Sequence, residues 1–204
     1  MDIFETLKKV FSADKAAGPD PNPSTESETP FPTFYIDTIE ANRAEKDRFF
    51  RTSPYSPLED RLNFSGLNYY PPDPAWRYVL PLQRVADPEP LTFQTNTGDE
   101  RVYDRIGTVT FEVEGQPAQL AIYQSDEHDE LFLPFRDATS GSETYGAGRY
   151  LEPEELPTGE ILLDFNLAYI PFCAYSDAYS CPLPPFENHL KVAIRAGEKA
   201  YKTS

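Results

Sequence analysis

Hydrophobic and polar residues alternate with different periods along this chain, and the period changes twice. Ile3, Phe4, Leu7, Val10 and Phe11 share one helical face with Glu5, Lys8 and Lys9 opposite, so residues 2–12 predict a short amphipathic helix. Alone in water so short a helix is marginal. Proline, serine, threonine and acidic residues then dominate to about residue 33, a composition that predicts a disordered linker. A folded region is expected from residue 34 to the end, beginning with a helix from about Thr38 to Arg51. Asp37 and Glu40 have capping-box spacing there, and Ile39, Arg43, Lys46 and Phe50 recur at helical intervals. Prolines interrupt the stretch after Arg51, with a helical turn expected around Leu58 to Asn63.

From Trp76 the period shortens to two. WRYVLPLQRV, LTFQTNT, RIGTVTFEVE, QPAQLAIYQS and ELFLPFRD alternate in part and are separated by turn residues, which predicts an antiparallel meander. In the third, Val109, Phe111 and Val113 alternate with Thr108, Thr110, Glu112 and Glu114, as in a sheet with one wet face. EILLDFNLAY and HLKVAIRAGE predict two later strands. The fold class expected is mainly β with minor α: a curved antiparallel sheet, barrel-like or a small sandwich, with the N-terminal helix of the folded region packed on it.

Composition narrows the partners. The chain has 204 residues, with 34 acidic against 18 basic side chains and a formal net charge of −16. Nucleic acid and anionic membrane surfaces are therefore poor partners for the whole protein. Abundant carboxylate with little lysine also fits a chain adapted to high salt, where screening removes self-repulsion. No apolar run reaches membrane-spanning length, and MDIFETLKKVF is too short and too charged for a secretory signal, so a cytoplasmic location is expected. Two cysteines are too few for a secreted disulfide scaffold, although one bridge between them is conceivable.

Three segments after the meander fit neither period: RDATSGSETYGAGRYL at 136–151, DFNLAYIPFCAYSD at 164–177 and CPLPPFENHLKVAIRAGEK at 181–199. With KDRFF, SPL and FSGLNYYPPDPAWR upstream, their order and wording resemble the bacterial and archaeal domain of unknown function 1684 family, from about Ala41 to Lys199. The resemblance implies that the N-terminal helix and linker lie outside the shared domain, and that the three segments belong to one assembly. It implies no catalytic role, and it identifies no cofactor.

The chemistry is therefore read from the residues. The first segment holds three of the ten glycines with an arginine at each end, yet it lacks P-loop spacing. Its arginines suit either an anionic ligand or a buried aspartate. The small-molecule reading assigns Arg136, Arg149 and Asn166 to ligand polar groups and Tyr145 and Tyr150 to the walls, in a pocket closed by the three segments. A hydrolase reading uses Glu187 with His189 as acid or base, or Cys173 as a thiol nucleophile with His189 and Asn188. Cys173, Cys181 and His189 have seven residues between each successive pair, but zinc needs a fourth donor such as Asp164, His128 or Asp177, so no metal site is assigned. An adaptor reading docks a protein partner through residues 2–12.

Overall fold

A computed structural model describes residues 31–88, 90–125 and 128–201. The amphipathic segment 2–12 and most of the linker lie outside the described residues. The chain divides into two compact units, one ending at Gly66 and the other starting at Leu67.

The first unit is built on one helix, α1, Phe31–Thr52. It starts about two turns before the Thr38 expected from the capping spacing. Pro32 lies in its first turn, where a proline displaces no helical hydrogen bond, so Asp37 and Glu40 fall inside the helix rather than at its cap. Phe50 is fully buried against Phe49 and Phe64, with ring centroids 6.1 and 6.0 Å away. After the helix the chain is irregular. In place of the expected helical turn around Leu58 to Asn63 there is a tight turn in which Asp60 accepts from Asn63 N (3.3 Å) and Nδ2 (2.6 Å). Those two bonds hold the Asp60 carboxyl below its usual range, the side-chain one contributing most.

The second unit is mainly β, as expected, and all its strand pairs are antiparallel. The large sheet holds β2 (Gln83–Arg84), β4 (Glu100–Val113), β5 (Gln116–Ser125), β6 (His128–Phe135) and β7 (Arg149–Leu151) in that order, with β3 (Pro90–Gln94) also on β4. The small sheet runs β1 (Arg77–Pro81), β9 (Glu160–Asp164), β8 (Glu154–Glu155). The WRYVLPLQRV stretch thus divides at Leu82 between two sheets. The sheets do not close into a barrel. They share one core in which Val109, Phe111, Leu120, Leu133 and Phe135 of the large sheet meet Ile161 and Leu163 of the small one. The Tyr78 ring on β1 lies tilted 5.2 Å from that of Phe111 on β4, and the fully buried Phe165 lies 5.4 Å from Phe111.

The alternating wet face predicted for β4 is seen where Thr110, Glu112 and Glu114 stand exposed beside the hairpin. That hairpin turns in two residues, Glu114 (φ 51°) and Gly115 (φ 75°), the positive-φ pair that matches strand twist. Only the middle of the sheet is covered on both faces, where Gly107, Thr108 and Val109 are buried, and Phe93, Tyr103, Tyr123, Phe132 and Tyr150 form a second buried cluster opposite the first.

One expected strand is absent. HLKVAIRAGE runs as irregular chain. Its backbone groups find partners that are not strands: Val192 O accepts from Ala138 N, Ile194 N donates to the Asp137 carboxylate, and Ile194 and Ala196 carbonyls accept from Arg149. Alternation predicts a strand only where a neighbouring strand is there to pair with it.

Candidate functional site

The 136–151 segment leaves the large sheet after Phe135 and rejoins it at Arg149, and those two residues face each other across the β6–β7 pair. Between them the chain bonds to itself. Asp137 Oδ1 accepts from Thr139 N (3.0 Å) and Oγ1 (2.6 Å), and Thr139 O accepts from the amides of Ser142, Glu143 and Thr144. These are the local side-chain and turn bonds that Asp and Thr offer in place of helix or strand.

Arg149 faces the aspartate. It is 1% exposed, its Nη2 donates to Asp137 Oδ2 (3.0 Å) and Ile194 O (2.7 Å), and its Nη1 donates to the carbonyls of Ala196 and Glu198. The guanidinium also lies 5.1 Å over the Phe135 ring. Burial lowers its pKa and Asp137 opposes that shift. Four guanidinium hydrogen bonds are thus engaged inside the protein, and they anchor the C-terminal coil.

The other polar residues of the three segments behave alike. Asn166, 2% exposed, accepts from Asp73 N (2.9 Å) and donates to Asp73 O (2.8 Å), as a strand neighbour would. Asn188, fully buried, accepts from Ala121 N (2.7 Å) and donates to Ala121 O (2.9 Å) and Pro134 O (2.8 Å), filling the gap where β5 and β6 part. Tyr150 is 4% exposed, its hydroxyl donates to Pro182 O, and burial raises its pKa well above the ordinary value. Glu198, fully buried, accepts from Ile170 N (3.1 Å) and the Tyr175 hydroxyl. Each of these buried polar groups has a partner. Asn188→Ala would leave two carbonyls and one amide without theirs, so a stability loss of about 2 kcal/mol is expected in urea unfolding. A loss within error would mean that water replaces the amide freely.

Arg136 differs from Arg149. Its backbone is bonded to Asn188 O and Leu190 N, but its half-buried side chain makes no hydrogen bond or ion pair with the described residues. It pairs with His189 in an isolated parallel bridge. Gly148 makes room for it: a Cβ there would sit 2.9 Å from both Arg136 Cγ and Pro184 Cγ. His189 in turn hydrogen-bonds Pro184 O through Nε2 (3.1 Å), and its ring lies 5.4 Å from that of Phe186, which is 88% exposed.

His189 lines an open cleft of about 280 Å³ with Gln116, Gln119, Lys191 and Val192 among its other walls. Gln116, Gln119 and Lys191 carried no sequence motif; Lys191 was visible only as the second basic residue of PPFENHLK. Glu187 turns to other partners. Its Oε1 accepts from the Tyr123 hydroxyl (2.6 Å), its Oε2 pairs with Arg105 (2.8 Å), and no hydrogen bond joins it to His189. The Tyr123 hydroxyl is held protonated by burial and by that carboxylate.

Cys173 and Cys181 come together in the tyrosine cluster with Tyr145 and Tyr150. Tyr145, half-buried, has its pKa pushed up to about 12 by burial and by Cys173 beside it. The three segments therefore do meet, as packed side chains. His189 is bonded to Pro184 instead, and among the described residues no three His, Cys, Asp or Glu side chains gather as metal ligands do.

The model of a family described as protein of unknown function (DUF1684) matches residues 62–199. The chain is also similar to an uncharacterised protein of Haloarcula marismortui solved in solution by NMR, at 43% identity over 82% of this chain and 95% of that one, with a TM-score of 0.63. No curated protein matches it.

Proposed function

The chain belongs to the DUF1684 family of proteins of unknown function, so no inherited activity constrains its site, and we propose that it binds a small carboxylate- or phosphate-bearing molecule at the His189 cleft. The observation that carries this reading is the composition of the cleft wall. In a protein with 34 acidic and 18 basic residues, the lining holds His189, Lys191 and two glutamines and not one carboxylate. Lys191 supplies charge and the glutamine amides supply donors. The ligand sits here rather than among Arg149, Asn166 and Tyr150, whose polar atoms are already bonded within the chain.

Titration of the full chain with inorganic phosphate and with a small dicarboxylate, followed by backbone amide shifts, tests it. Shifts are expected at Gln116–Gln119 and His189–Val192, with affinity falling roughly tenfold (about 1.4 kcal/mol) in Lys191→Ala. This variant keeps the fold, because the Lys191 side chain makes no pair with the described residues. Shifts scattered over the surface, or affinity unchanged in Lys191→Ala, would discard the proposal.

A further inference from the structure

The His189 cleft is walled by main chain as well as by side chains. β5 pairs with β6 only from Tyr123 onward, so on that side residues 116–122 have no strand beside them. The two-residue turn at Glu114 and Gly115 makes Val113 and Gln116 the first hydrogen-bonded pair of the hairpin, and the ladder runs without a shift to Thr108 and Ala121. Hydrogen-bonded and open pairs alternate along such a ladder, so Pro117, Gln119 and Ala121 turn their main-chain groups away from β4.

Ala121 shows what those groups require. Its N donates to Asn188 Oδ1 (2.7 Å) and its O accepts from Asn188 Nδ2 (2.9 Å), so one side-chain amide stands in for a neighbouring strand. Two residues earlier Gln119 turns the same donor and acceptor to the same side, and among the described residues no main-chain group bonds them. Pro117, next in that row, has no N–H to leave open. The opposite wall does not close the gap. Asn188 O, Leu190 N and Val192 O bond Arg136 N, Arg136 O and Ala138 N, and among the described residues no main-chain hydrogen bond joins 188–192 to 116–119.

We infer that the anion bound in this cleft is the C-terminal carboxylate of an extended polypeptide laid along β5 as an added strand. This rests on the anion reading of the same cleft and names the ligand more closely. Gln119 offers an N–H and a C=O spaced for one residue of a strand, and phosphate or a free dicarboxylate has no donor for that carbonyl. Lys191 takes the terminal carboxylate, and the wall holds no carboxylate to repel it. The Phe186 ring, 88% exposed and 5.4 Å from that of His189, presents an aromatic surface to an apolar side chain near the terminus.

Titration of the full chain with acetyl-alanyl-valyl-leucine, with the C-terminal amide of the same peptide and with succinate, followed by backbone amide shifts, tests this. The free acid is expected to bind on the order of tenfold more tightly than either comparison, with shifts centred on Gln119 and Lys191. Methylating the valyl or the leucyl nitrogen of the peptide is expected to cost roughly tenfold at one of the two and little at the other, because only every second N–H of a strand faces β5. No substitution in the protein is needed, so a folding defect cannot imitate the result. A free acid no tighter than succinate overturns the inference and leaves the anion reading standing. An amide as tight as the free acid, or equal losses from the two methylations, also overturns it. Binding by none of the three discards both.

Discussion

Arg149→Leu is expected to lower stability by about 3–5 kcal/mol, because it removes one partner of a fully buried ion pair and leaves the other charge uncompensated. Asp137 keeps its bonds from Thr139 and Ile194 but loses its counter-charge, and the carbonyls of Ile194, Ala196 and Glu198 lose their donor. Arg149→Lys is expected to recover only part of the loss, since an ammonium cannot present the planar fork that reaches these separated acceptors. Urea unfolding followed by Trp76 fluorescence reports it directly. Trp76 is the sole tryptophan and packs edge-on 6.4 Å from the core ring of Phe165. A loss below about 1 kcal/mol would contradict the anchoring role and return Arg149 to the ligand candidates.

The glycines of the same segment are expected to separate sharply. Gly148→Ala places a Cβ 2.5 Å from Phe135 O and 2.9 Å from Arg136 Cγ and Pro184 Cγ, at a φ of +108°. Backbone strain and overpacking together are expected to cost on the order of 3 kcal/mol or more. Gly141→Ala, at φ +87° with its nearest neighbour 3.9 Å away, carries only the backbone term, about 1–2 kcal/mol. Gly146, without a positive φ and with ordinary contact at 3.7 Å, is expected to accept alanine within about 0.5 kcal/mol. Melting temperatures of the three variants should fall in that order. Equal losses would show that the glycines act through general flexibility and not through a close approach at Gly148.

Much of the β architecture was legible in the sequence because alternation and turn residues act locally. Val109, Phe111 and Val113 point to the core as their spacing predicts, and Gly115 turns the hairpin. Where the sequence reading fell short, a distant element or a competing signal nearby had taken over a local preference. Ile194 and Ala196 alternate like a strand, yet their carbonyls are bonded by a side chain from β7. Asp37 and Glu40 have cap spacing, yet the helix had already begun at Phe31. The candidate residues divided for the same reason. Arg136 and Arg149 bracket one motif and look alike in sequence, but one sits beside His189 without an internal partner while the other is sealed against Asp137.

The sequence by itself determined the antiparallel β class, the family and the excess negative charge, since each follows from residue identity and short-range order. It also placed the chemistry-bearing residues in three segments. Only the tertiary structure decided what those residues do. Asn166 and Asn188 complete backbone pairing, Arg149 holds the C-terminal coil, the two cysteines meet, and a carboxylate-free cleft opens at His189. The physical reason is that the role of a polar side chain is set by the partner that removes its need for water, and that partner lies far away in sequence.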